Sequence, residues 1–166
     1  MERLRTYAAL VKKNRRDLLL LALWTITIAV VFIRTHQQYY LDTPMVTYYQ
    51  IGFSQYATPK PSEVDLMLIL LISSIVTFFL VSIKSVVFGY FASLLLSSIM
   101  TVIYVLLFNW YSLGIGEAFA ELPFGWEWVL FQAILNVFRY IFPLGITFNL
   151  IGVCVGSVLR VLANRD

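Results

Sequence analysis

Arg139 is the residue of this chain whose chemistry most needs an explanation, because it stands inside an apolar run. Trp128, Gln132 and Asn136 precede it at steps of four, and Arg139 or Tyr140 continues the series at i+11 or i+12. That spacing draws a polar stripe along one side of an otherwise apolar helix. An ionisable side chain at membrane depth is a functional candidate by default. A guanidinium also offers two parallel donors to a carboxylate, an anionic ligand or a lipid headgroup. Gln132, Asn136 and Arg139 are therefore the candidate ligand-binding residues, suited to a polar or anionic solute. Pro143 lies four residues on; it has no N–H, so the carbonyl of Arg139 loses its helical partner.

Other reactive residue types give weaker patterns. Glu117, Glu121 and Glu127 cluster before this helix, but a two-carboxylate hydrolase needs acids that converge on one bond. Nothing in their spacing shows convergence, and they read as a solvated outer loop. His36 is the single histidine; beside Arg34 it reads as an exposed interfacial residue, since a metal site needs several ligands. The lone Cys154 excludes an intrachain disulfide, a multi-cysteine metal site and a CxxC redox pair. No HExxH, GxSxG, P-loop, haem-type histidine pair or Asp-rich metal motif is present. No catalytic residue, metal ligand or cofactor is assigned, and an enzyme is disfavoured. No inverted repeat is visible either, which argues against a self-contained secondary transporter.

The elements that hold these residues are set by composition. With 60% hydrophobic and 13% charged residues in 166, the chain reads as an all-α integral membrane protein rather than a soluble domain. Residues 1–17 carry six basic side chains. Leu4, Tyr7, Ala8 and Val11 fall on one helical face there, so this segment reads as a basic amphipathic helix on an anionic cytoplasmic leaflet, or as a positive-inside tail. Residues 18–166 read as a single polytopic domain. Its first span covers about 18–38; Arg34-Thr35-His36-Gln37-Gln38 offers no small-residue cleavage site, so the span is retained. From Arg34 to Asp65 come Tyr39, Tyr40, Tyr48, Tyr49 and Tyr56, which suit the outer interface, with a short strand conceivable over Met45 to Phe53.

Pro61 and Ser62-Glu63-Val64-Asp65 mark a helix start with a capping box. From Leu66 to Phe108 the only charge is Lys84; one helix over that length would be about 65 Å, roughly twice the hydrocarbon thickness. The chain must turn near Lys84, giving spans over about 66–83 and 87–108. Gly89, Ser93, Ser97 and Thr101 then form a small-residue seam, and Gly145, Asn149, Gly152, Gly156 and Arg160 a second, with Gly152 and Gly156 as a GxxxG pair. The first seam marks helix three as the centre of the bundle. A last span covers about 144–162. Residues 126–142 form an interfacial or re-entrant helix, so the fourth segment is broken.

Charge chooses between topologies. With both termini cytoplasmic, nine basic residues lie inside and Arg34 and Lys60 outside, Arg139 being unassigned; five full crossings fit the positive-inside rule less well. The expected setting is the plasma membrane. The expected function is a non-catalytic multi-pass subunit or assembly partner of a larger membrane complex. The alternative is a small carrier or substrate-binding component, and a lipid-acting enzyme ranks third. Expected partners are the bilayer, other membrane subunits or a second copy, and anionic lipid at the basic N-terminus, but no nucleic acid.

Overall fold

The computed structural model describes residues 2–42, 60–80, 82–113 and 125–163, and the secondary structure among them is helical throughout. In chain order come α1 (Glu2–Asp42), α2 (Glu63–Phe79), α3 (Ile83–Leu113), α4 (Gly125–Tyr140) and α5 (Ile146–Leu162). Three stretches are long and apolar enough to cross a membrane: Arg15–Gln38, Ile83–Phe108 and Ala133–Leu162. The last includes the end of α4, a break and all of α5. At 17 residues, α2 is about 26 Å long, slightly short of a bilayer core. The tyrosine-rich loop, the Met45 to Phe53 segment, Glu117 and Glu121 lie outside the described residues. So do the side chains of Leu4, Tyr7, Ala8 and Val11.

Local sequence explains where these helices begin and end. No Pro or Gly occurs between Glu2 and Asp42, so the basic segment and the first span form one helix of about 62 Å. Ser62 caps α2 as its sequence predicts: its Oγ accepts from Asp65 N at 3.2 Å, and Asp65 Oδ2 accepts from Ser62 N at 3.3 Å. The helix ends where Leu80 turns extended (ψ 138°). The reversal is complete by Ser82, whose Oγ accepts from Ser85 N at 3.1 Å. The turn therefore comes before Lys84, which sits in the first turn of α3. Ser82 decides this, since a serine that can accept from the amide three residues on is a strong helix start.

Between α4 and α5, Ile141–Gly145 form a wide turn in which Phe142 is extended (φ −104°, ψ 134°) and the Phe142–Pro143 peptide is cis. A residue before proline is pushed out of the helical region by the ring. The break expected at Pro143 thus falls on its predecessor.

Contacts between helices fix their directions. Arg16 reaches Phe79 O and Arg34 reaches Asp65, so α1 and α2 are antiparallel. Gln37 meets Tyr104, and Trp24 lies by Gly89, so α3 runs with α1. Gly152 abuts Leu70 and Ser73 while Gly156 abuts Ser74 and Thr77, so α5 runs with α2. The tightest packing is α2 on α5, followed by α1 on α3; α4 lies against α3 rather than along α5.

The core runs along α1, not α3. Trp24, Ile28, Phe32 and His36, at steps of four, are all buried, with Ile69, Val76, Val105, Val137 and Tyr140 around them. Helix three, expected at the centre, is peripheral: Phe88, Phe91, Leu95, Ile103 and Leu107 are exposed. Only its narrow seam faces inward. So much exposed apolar surface is compatible with a membrane location, since soluble proteins rarely leave large contiguous apolar patches in water.

Candidate functional site

Two polar layers cross the bundle, and each is assembled from residues on separate helices. The first lies near the middle of the apolar stretches. Trp24 Nε1 on α1 donates to Ser73 Oγ on α2 at 3.0 Å and to Asn149 Oδ1 on α5 at 3.1 Å. Ser73 Oγ stands 2.5 Å from Asn149 Oδ1 and 2.6 Å from Ile69 O. A hydroxyl has one proton, so Ser73 gives it to one of these two acceptors at a time. All three side chains are buried. Asn149 Nδ2 is buried as well, and finds no acceptor among the described residues. Polar groups joining three helices in apolar surroundings hold them in one register, because sliding would leave each group unbonded.

The second layer sits about 18 Å further along α1, twelve residues at 1.5 Å each. His36 Nδ1 is 2.6 Å from the Tyr140 hydroxyl at the end of α4. The rings of Tyr104 and Phe108 on α3 stand perpendicular to the imidazole, with centroids 6.1 and 5.5 Å away. Tyr104 in turn accepts from Gln37 Nε2 at 2.9 Å. At the same end, Arg34 approaches the fully buried Asp65 carboxylate to 3.7 Å while remaining half exposed itself. His36, expected to be an exposed interfacial residue, is only 2% exposed. The sequence signal for this was its phase: it extends the Trp24, Ile28, Phe32 series by one more step of four.

The polar stripe on α4 is not an inward face. Its buried positions are Ala133, Val137 and Tyr140. Gln132 precedes that series by one residue, and its side chain lies outside the described residues. Asn136 is half-buried and Arg139 is exposed. Of the two alternatives for the stripe's end, Tyr140 points into the bundle and Arg139 out of it. Arg139 makes no ion pair among the described residues. Glu127 is one turn into the same helix, twelve residues earlier, so about 18 Å separates the two along the axis and they cannot bridge within one chain.

The eight small or polar residues of the two seams, Gly89, Ser93, Ser97, Thr101, Gly145, Asn149, Gly152 and Gly156, are all buried. The seams meet different neighbours. A Cβ on Gly89 would stand 2.5 Å from a methyl of Leu21 and 3.2 Å from Trp24, whereas one on Gly152 would stand 2.6 Å from both Leu70 O and Ser73 Cβ. Gly156 lies closer still to Ser74 O. The α3 hydroxyls do not reach across: Ser93, Ser97 and Thr101 bond to Tyr90 O, Leu94 O and Ser97 O of their own helix. Intrahelical carbonyls are the nearest acceptors for Ser and Thr on a helix.

Asn149 is legible in the sequence as a seam residue, but nothing in the sequence names Trp24 and Ser73 as its partners. Ser73 sits in a Ser-Ser pair whose members are both buried, and only the phase of Ile69, Ser73 and Val76 indicates which serine faces Trp24. Among the described residues no three of His, Cys, Asp and Glu group as metal ligands. What the two layers do chemically is bond helix to helix. The chain matches no protein-family model, and comparison with curated proteins and with solved structures gives no match.

Proposed function

We propose that this chain is a four-span integral membrane protein with a broken fourth segment, both termini cytoplasmic, acting as a non-catalytic subunit or assembly partner of a larger membrane complex. The observation that carries the reading is Arg139. It is exposed on an apolar helix, one residue before the buried Tyr140, with Phe131, Ile134, Phe138 and Phe142 exposed around it. A charge facing hydrocarbon is costly, by about 2.5–3.5 kcal/mol on insertion scales. A carboxylate or polar group on a partner helix removes that cost. The exposed phenylalanines give such a partner an apolar surface to bury. Within the chain, Trp24, Ser73 and Asn149 bond to one another across three helices and His36 bonds to Tyr140, which suits a structural component.

The test is isolation from native membrane in mild detergent, with wild type beside Arg139→Lys and Arg139→Gln. The expected result is a defined set of co-purifying membrane proteins, reduced in both variants because lysine lacks the planar fork. Arg139→Lys behaving as wild type would point to snorkelling, and a lone monomer from wild type would refute the assembly reading. A second reading, a small carrier for a polar solute, is favoured by the buried Asn149 Nδ2 near the middle of the bundle, a donor without an acceptor among the described residues. A small molecule retained by wild type and lost in Asn149→Leu would support it.

A further inference from the structure

Arg139 has a counterpart of opposite charge at its own end of the bundle, on a helix that packs elsewhere in the chain. Arg34 meets Asp65 across the antiparallel pair of α1 and α2. His36, two residues further along α1, is therefore level with Glu63, two residues back along α2. The Tyr140 hydroxyl lies 2.6 Å from His36 Nδ1, and Arg139 directly precedes Tyr140. Arg139 and Glu63 thus share one level to within about two helical turns, which the combined reach of the two side chains covers. Both are exposed. Among the described residues Arg139 forms no ion pair, and Glu63 pairs with neither Arg34 nor the exposed Lys60. They do not pair with each other either, since α2 packs on α5 and α1 whereas α4 packs on α3.

We propose that a second copy of this chain covers Arg139, with Glu63 of that copy as its counter-ion. The inference rests on the assembly reading above and names the partner at the same residue. Copies with one topology in one bilayer are related by rotation about the membrane normal, and that rotation keeps every residue at its level. A charge on one flank then faces the opposite charge on another flank of the next copy. Apolar surface accompanies both. Phe138 and Phe142, stacked with ring centroids 5.6 Å apart, lie beside Arg139, and Val64, Met67 and Leu68 follow Glu63, all of them exposed. A guanidinium holds a carboxylate by two parallel bonds and is weakly hydrated, which suits a contact at the edge of an apolar surface. Glu127 is a further exposed acid, but twelve residues from Arg139 on one helix it lies about 120° round the axis and faces another side.

The test reconstitutes the purified full chain in phosphatidylcholine vesicles and reads association by energy transfer between copies labelled at Asp166→Cys in a Cys154→Ser background. Transfer should rise with the chain-to-lipid ratio and saturate. Arg139→Glu and Glu63→Arg each set like charges against one another, so each should raise the ratio at half-saturation at least about tenfold. The combined swap, Arg139→Glu with Glu63→Arg, should return it to the level of the unswapped chain. Helix content and thermal midpoint, read on the same samples, should stay unchanged at these two exposed positions. The proposal is overturned if the unswapped chain shows no transfer, if the combined swap fails to restore what the single reversals remove, or if Glu127→Arg restores it in place of Glu63→Arg. Co-purification from native membrane separates the two failures. Partners lost in Arg139→Gln, with no transfer between copies, would sink only the second copy as occupant, whereas indifference to Arg139 in both settings would sink the assembly reading as well.

Discussion

Trp24 has one indole N–H and two acceptors for it, Ser73 Oγ and Asn149 Oδ1. The redundancy has a measurable consequence. Ser73→Ala leaves Asn149 to accept, and Asn149→Leu leaves Ser73, so each alone should cost about 1 kcal/mol or less, as interhelical polar contacts do. The double variant leaves a buried N–H with no acceptor, which adds about 1–3 kcal/mol. Unfolding in detergent should therefore show a double-mutant cycle that is more than additive, and additivity would mean that the indole draws nothing from one of the two. The single orphan in this layer, Asn149 Nδ2, disappears in Asn149→Leu, which makes that variant the milder of the two singles. At this scale the sequence was most legible where the interaction is local. Ser62 and Asp65 are three residues apart and their capping box follows from their types. Trp24 and Asn149 are separated by most of the chain, and nothing in either residue names the other.

Among elements, the α2–α5 and α1–α3 pairs both rest on glycine but differ in what the glycine meets. A Cβ on Gly152 meets the backbone at Leu70, and one on Gly156 the backbone at Ser74, whereas one on Gly89 meets the far end of Leu21. Backbone cannot step aside without parting the helices; a leucine can change rotamer. Gly152→Ala and Gly156→Ala should each destabilise by about 1–3 kcal/mol, the range for overpacking, and Gly89→Ala by clearly less. Thermal midpoints of the three variants check the order, and equal losses would show that Leu21 is as rigid as backbone. The seams themselves were readable from steps of three and four, but their partners were not, because a row of small residues specifies close approach without specifying to what. The polar stripe of α4 through Gln132 and Asn136 does not by itself say which face turns inward. In the structure Ala133, Val137 and Tyr140 are buried and the charge of Arg139 stays outside.

For the molecule as a whole, Arg16 and Arg160 meet the same end of α2, so the start of the first apolar stretch and the end of the last lie together. In a bilayer this places both ends on one side, the arrangement that the excess of basic residues at positions 3–16, 84, 160 and 165 also favours. In a Cys154→Ser background, cysteines introduced near either terminus should resist a membrane-impermeant reagent applied from outside, while one at Lys60 should react. Labelling at the C-terminus from outside would rule out four spans. The helical class and the three long apolar stretches could be seen in composition and run length alone. The pairing scheme could not, since it depends on which faces have the small residues and on how the short, serine-bearing α2 is enclosed.

That enclosure bears on how the protein is made. Ser73, Ser74 and Thr77 of α2 are covered by Asn149, Gly152 and Gly156, residues synthesised some seventy to eighty positions later, a delay of roughly four to sixteen seconds at ordinary elongation rates. Until α5 emerges, α2 is a short helix with a hydroxyl-bearing face and no cover for it. A chain ending before Ile146 should accordingly be recognised as unfinished and cleared faster than the full chain, with α2 accessible to a hydrophilic thiol reagent at Ser74→Cys in a Cys154→Ser background. Pulse-chase decay of the two lengths measures the difference. Equal half-lives would mean that α1 alone shields α2 while it waits for α5.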